Sequence, residues 1–281
     1  MELAAEMAQY IASMGLGYLA GRRLGLRVPP AVFTAVVAAV IFSASAEGAH
    51  VVVDNAGYIV ALSLGYALSV ALASMLPFAL SSRGRGAQSP SGSRVSAVAV
   101  SALLAGIAVG YFVQAPYASA IEPILLVLLF LAGADIGRLK GLRLSPRLAA
   151  VPLVSLTSSL AAGLAFYLWL GVSPAVAVGM GWYSFTGPYL LSASGDAVLG
   201  TLGFLANFFR EQLTFVLTPL LADRVRPDAA LAIGGATTMD NTLPLYRSVY
   251  GAEAVVPAVV NGVVLTLAVP IVVPLVYSLF P

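Results

Sequence analysis

The sequence predicts an all-α polytopic membrane protein with about eight transmembrane helices, two re-entrant hairpins and inverted repeats. Three observations carry that expectation. Of the 281 residues 60% are hydrophobic and only 9% charged, whereas a soluble domain carries roughly 25% charged residues. Apolar stretches recur at lengths near the roughly 20 residues that cross about 30 Å of hydrocarbon. Basic residues then fall in alternate connections between those stretches, the asymmetry that marks cytoplasmic loops.

The spans are read at about 8–21, 31–46, 57–80, 95–113, 121–136, 148–170, 200–221 and 253–279. Arg22, Arg23 and Arg27 follow the first, and Arg83, Arg85 and Arg94 the third. Arg138, Lys140, Arg143 and Arg147 follow the fifth, and Arg224 and Arg226 the seventh. The other connections hold Glu47, Asp54 and Glu122 without Lys or Arg, so both termini are predicted outside the cytoplasmic membrane. A linker composition occurs only at 82–94.

Segments 174–198 and 228–249 are apolar but rich in breakers. Full crossings by both would carry Arg224 and Arg226 outside, so they are predicted as hairpins, one from each face; ten plain spans are the alternative. The chain thus reads as one transporter domain, 1–281, with a six-helix part (1–170) and a hairpin-helix-hairpin-helix part (171–281). Phe42-Ser43-Ala44-Ser45-Ala46-Glu47 and Phe130-Leu131-Ala132-Gly133-Ala134-Asp135 share the pattern F-x-A-x-A-acid. They end the second and fifth spans, which run oppositely, as a three-plus-three inverted repeat requires.

Composition excludes several chemistries. There is no cysteine and one histidine, His50, so thiolate nucleophiles, zinc–thiolate sites and multi-histidine metal centres are ruled out. Lys140 is the only lysine and no P-loop contains it, so transport is secondary or powered by another subunit. No cofactor or metal is expected. A net charge of +2 reflects loop arginines, with the lipid bilayer and not nucleic acid as partner. Glu2 and Glu6 at the start argue against a cleavable signal peptide.

Polar groups inside a bilayer are costly and face cavities or partners. Asn207, Glu211, Thr214 and Thr218 recur at helical spacing in the seventh span, with Arg210 about 100° round from Glu211. Glu211 reads as a functional carboxylate or as half of a structural pair with Arg210. Gly234-Gly235-Ala236-Thr237-Thr238-Met239-Asp240-Asn241-Thr242-Leu243-Pro244 reads as a broken helix beside a substrate site, or as a loop with Asp240 as a cap. In Gly179–Tyr189, Ser184 and Thr186 offer hydroxyls to a carboxylate, aided by a helix N-terminus. Trp182 and Tyr183 read as interfacial anchors. By residue type alone Asp54, before Asn55, either sits in a cavity on an extended third helix or, the favoured reading, caps that helix at the outer surface. Glu47, Asp135, Asp196, Asp223, Asp228 and Glu253 read mostly as solvated or capping.

Gly181-Trp182-Tyr183-Ser184-Phe185-Thr186-Gly187, Arg210-Glu211, and Gly235-Ala236-Thr237-Thr238-Met239-Asp240 with Thr242-Leu243-Pro244 together resemble the LysO family of lysine exporters, over about 175–281. Asp54-Asn55 and Leu126–Gly137 resemble it more weakly. The resemblance implies export of L-lysine and analogues such as thialysine, in exchange for protons. It also implies eight spans with both termini outside, and functional roles for Asp54 and Glu211. The chain departs in having Asn207 without a following Asp before Arg210, and Thr186 where the family has Ser. On that basis Glu211, then Asp54 with Asn55, would couple protons to lysine. Asp240, Thr237 and Thr238 would help bind, Ser184 and Thr186 would hold the carboxylate, and Arg210 would hold it or restrain Glu211. The competing readings are a carrier of the same fold for another cationic amino acid or sodium, a non-transporting structural subunit, and an intramembrane aspartyl enzyme. The enzyme reading needs Asp54 and Asp240 to meet.

Overall fold

Uninterrupted apolar runs become long helices in the computed structural model, which describes residues 2–79, 94–139, 146–222 and 224–281. Helix α1 (Glu2–Arg23) leads to α2 (Pro30–Glu47), which begins where Pro29 and Pro30 fix the backbone for a first turn. A short α3 (Ala49–Asp54) is set off from α4 (Ala56–Ala79) by a turn at Asn55. Then come α5 (Arg94–Phe112), α6 (Ala118–Arg138) and α7 (Pro146–Leu170). Glu47, predicted as solvated or capping, accepts from the Ala118 N–H at 2.8 Å and so satisfies the start of α6.

Five helical segments among the described residues are long and apolar enough to cross a membrane: 30–47, 56–78, 118–138, 148–170 and 255–279. The chain is therefore an all-α multi-pass membrane protein. Helices α1, α5 and α9, also predicted as spans, are not in that set. Among the described residues α5 contributes the shorter apolar segment Val100–Phe112, while α9 carries Arg210 and Glu211 at its centre. The linker at 82–94 lies outside the described residues, Arg94 apart, as do Arg83, Arg85, Lys140, Arg143 and Asp223.

Small residues set the packing of the first six helices. Gly17 and Gly21 of α1 lie against the backbone of Phe130 and Ala134 in α6, and Gly133 and Gly137 lie against Met14 and Tyr18. Gly106 and Gly110 of α5 lie in the same way against Phe42 and Ala46 in α2. A Cβ at Gly17, Gly21, Gly106 or Gly110 would strike the partner helix's backbone or, at Gly106, Ser45. Without water to drive association, such close backbone approach is what joins helices in lipid.

The rest of the chain is interrupted helix. A 3-10 turn (Pro174–Gly179) ends at Met180 and Gly181, both at positive φ (53° and 85°), before α8 (Tyr183–Ser194). Helix α9 (Ala197–Leu221), capped by Asp196 through the Val198 N–H at 2.8 Å, follows. Helix α10 (Pro227–Gly234) passes through Gly235 at φ 63° into a 3-10 turn (Gly235–Met239) and α11 (Leu243–Tyr250). A short 3-10 turn at Ala252–Ala254 leads to α12 (Val255–Leu279).

Each interrupted segment folds back on itself. Gly187 packs on Gly200 and Phe204, and Asn207 reaches Val176, so both limbs of the first lie along α9. The Tyr246 hydroxyl donates to the Ala230 carbonyl at 2.9 Å, which sets α11 beside α10. The two breaks touch: the Ala236 N–H donates to the Met180 carbonyl at 2.8 Å.

Candidate functional site

Broken helices leave backbone groups that intact helices would satisfy internally. Here matching asparagines take them up. The Asn207 side chain accepts from the Gly181 N–H at 2.8 Å and donates to the Val176 carbonyl at 2.9 Å. Asn261 of α12 donates to the Leu231 and Gly235 carbonyls at 3.2 and 2.9 Å. Thr238 engages the Gly235 and Ala258 carbonyls at 2.9 and 2.8 Å, and Thr237 bonds to the Gly234 carbonyl at 2.9 Å. The breaks are thus held in place by side chains from both flanking long helices.

Arg210 completes that framework. It is 1% exposed, and its five N–H donors all find partners. Nε donates to the Ile233 carbonyl at 2.7 Å. One terminal nitrogen reaches Ser159 Oγ at 3.1 Å and Met180 Sδ at 3.6 Å. The other reaches Ser155 Oγ at 2.8 Å and the Ala232 carbonyl at 2.9 Å. None of these partners is a carboxylate, so the Arg210–Glu211 pair considered from sequence is not formed. Arg210 ties α9 to α7 and to both breaks.

Beside the meeting point lies a cavity of about 330 Å³. Its floor is built by the tips, Gly181–Ser184 and Ala236–Asn241 apart from Thr238, together with Glu211 of α9 and Thr266 of α12. Its walls come from Thr34 and Val37 of α2 and from Ala132 and Asp135 of α6; Val28 and Leu139 follow Arg27 and Arg138 in the chain, and Pro30 opens α2. Glu211 is 0% exposed on the residue scale, and the Asn241 amide donates to one of its oxygens at 3.1 Å. The Asn241 backbone N–H in turn bonds to the Asp240 carboxylate. Asp240, considered as a loop cap, is instead joined through Asn241 to Glu211 on the cavity floor. No lysine, arginine or histidine lines the cavity among the described residues.

Of the residues singled out in sequence, Glu211, Asp240, Thr237 and Ser184 meet at this cavity. Arg210, Asn207, Thr238 and Thr186 stand behind it, Thr186 bonded to the Trp182 carbonyl at 2.9 Å. The polar face of α9 is not a continuous lining: Thr214 donates back to the Arg210 carbonyl at 2.9 Å, and only Glu211 of the four reaches the cavity. Asp54 and Asn55 lie elsewhere, exposed at the turn between α3 and α4, with the Asn55 amide on the Val51 carbonyl at 2.8 Å. Asp54 does not share the cavity with Asp240, so the Asp54–Asp240 pair that the enzyme reading needs is not formed.

Sequence reading missed Asp135, Asn241, Trp182 and Thr34 as cavity residues. Asp135 reads as solvated because it closes an apolar span one turn before Arg138. The sharing of the F-x-A-x-A-acid pattern was the one available signal that its position is specified.

The geometry agrees with what the chain is similar to. The family model described as Lysine exporter LysO matches residues 100–277. The protein named Lysine exporter LysO in Escherichia coli K12 is 39% identical over 154 residues, 52% of this chain and 51% of that protein. A relative from Haemophilus influenzae is 30% identical over 180 residues, 60% of this chain and 91% of that protein. The match thus spans about half the length of the first relative and most of the second. No solved structure matches.

Proposed function

This chain belongs to the LysO family of lysine exporters, and from that premise we propose that it exports L-lysine, and analogues such as thialysine, by proton antiport through Glu211. The observation that carries this reading is a fully buried carboxylate on the floor of a cavity whose lining holds no competing cation among the described residues. A buried carboxylate is stable only when paired or protonated. In this reading Glu211, which accepts from Asn241, receives a substrate ammonium or a proton in turn, and exchange of one for the other is the coupling step. Asp240, linked through Asn241, assists; Thr237 contributes a hydroxyl. Ser184, at the N-terminal end of α8, offers a hydroxyl and the helix's partial positive charge to the substrate carboxylate.

In this reading the folded-back segments are re-entrant hairpins entering from opposite faces, beside eight crossing helices with both termini outside. Their contact through Ala236 and Met180 supports it. The two glycine seams support a three-plus-three inverted repeat, because α1 on α6 and α5 on α2 are the pairs such symmetry interchanges. The cavity then faces the cytoplasm, where lysine is loaded. Asp54, at the outer end, stands where external protons arrive.

The test is efflux of labelled lysine from proteoliposomes with a neutral or acidic exterior. Acid outside is expected to accelerate wild-type efflux, and Glu211→Gln to abolish the acceleration and most of the flux. Acid-stimulated efflux by Glu211→Gln at the wild-type rate would remove that carboxylate from the coupling step.

A further inference from the structure

We propose that Asp135 is a third cation-binding carboxylate of this cavity, beside Glu211 and Asp240, and that it confers preference for amino acids whose side chain ends in an ammonium group. The inference rests on the lysine-export reading but names a residue which that reading does not use. Asp135 lies on α6, half-buried on the cavity wall. Among the described residues it makes no hydrogen bond or ion pair at contact distance; Arg138, three residues later on the same helix, acts on it through space only.

A second, independent observation marks the cavity as a ligand site. Ser184 is 4% exposed, lines the cavity and has no hydrogen-bond partner among the described residues. Its hydroxyl oxygen is not one of the fully enclosed atoms without a partner, so it opens on the cavity, where a ligand oxygen can meet it. The three carboxylates Asp135, Glu211 and Asp240 share the cavity, yet no three acidic side chains of the described residues gather closely enough to hold one metal ion. Three carboxylates on one cavity suit a molecule that carries more than one positive charge.

A dibasic amino acid carries charges that these lining groups complement. Its α-ammonium goes to Glu211 and Asp240, and its carboxylate to Ser184 at the start of α8. The side chain then runs toward the mouth, ending at Asp135 near Leu139 and Val28. Glu211, Asp240 and Ser184 all come from residues 171–281, whereas Asp135 comes from α6. A substrate reaching Asp135 therefore joins the two parts of the chain. One lacking the terminal ammonium leaves α6 untouched.

The experiment compares lysine with norleucine, which has the same carbon chain without the terminal ammonium, and with the shorter ornithine. Binding is read by thermal stabilisation of the full chain in detergent, and transport separately in proteoliposomes. The wild type is expected to bind lysine far more tightly than norleucine. Asp135→Asn should weaken lysine by about tenfold or more while leaving norleucine unchanged, and Asp135→Glu should retain lysine binding and move the preference toward ornithine. Equal affinity of wild type and Asp135→Asn for lysine would overturn the proposal, as would parallel loss of both ligands. If Asp135→Asn does not fold, the ornithine shift in Asp135→Glu decides. Wild type that binds lysine but transports none would end the exporter reading and leave the Asp135 comparison valid; wild type that binds no lysine would end both.

Discussion

Arg210 and Glu211 are neighbours in sequence with opposite duties. The helix turns them about 100° apart, which sends the guanidinium into the framework and the carboxylate into the cavity. Replacing Arg210 by Met strands the Ile233 and Ala232 carbonyls in a buried setting, at a cost of about 3 to 5 kcal/mol. Lysine keeps the charge but has no planar fork to span five acceptors. We expect Arg210→Met to lower the thermal midpoint in detergent sharply and Arg210→Lys to lower it by less; unchanged midpoints in both would mean the network is dispensable. Sequence reading reached Glu211 and Asp240 because an acid within an apolar run has few innocent explanations. It could not reach the role of Arg210, since none of its partners is a charged group and three of the five are backbone carbonyls or a thioether. Asp135 was missed for the opposite reason, since an acid at the edge of a span does have an innocent explanation.

At the scale of elements, the two seams follow one plan. Gly17 and Gly21 receive Phe130 and Ala134, and Gly106 and Gly110 receive Phe42 and Ala46. The receiving positions are the F-x-A-x-A motif visible in the sequence. The glycines opposite were not singled out, because a small residue acquires meaning only from what approaches it. The asparagines behave alike: Asn207 was noticed beside Arg210 and Glu211, whereas Asn261, which holds the second break, stands alone in an apolar helix. Element identity was legible from hydropathy; the exact interruptions, at Met180–Gly181 and at Gly235, depend on contact between the breaks. Leucine at Gly21 or Gly110 drives a side chain into backbone, which typically costs about 1 to 3 kcal/mol. Thermal unfolding of Gly21→Leu and Gly110→Leu is expected to show comparable losses, and a loss in only one would argue against equivalent seams.

For the whole molecule, the informative contrast is between the two ends of the central contact. On one side is the cavity of about 330 Å³. On the other, α2, α8 and α9 close around a void of only about 20 Å³ lined by Ala44, Gly187, Leu191 and Phe204. A carrier must exchange these roles, and inverted repeats supply a second arrangement of similar energy. The chain contains no cysteine, so single cysteines report without background. Thr34→Cys should react with a water-soluble thiol reagent while Ala44→Cys is protected, and external acid should raise labelling at Ala44→Cys. Equal labelling at position 44 under both conditions would refute alternation across that closure.

The hydrogen bond between Ala236 and Met180 has an electrical consequence. If cytoplasmic water fills the cavity, it carries the inside potential to the tips of both breaks. The membrane voltage then falls over the protein between those tips and the outer surface, a path shorter than the bilayer. Energy of about 2.3 kcal/mol per elementary charge per 100 mV is thereby concentrated at the floor where Glu211 sits. A movement of a few ångströms by a proton or an ammonium across that constriction would register a large share of the transmembrane field, so a carrier working by the proposed exchange would sense voltage without moving its substrate through the full thickness of the membrane in one step.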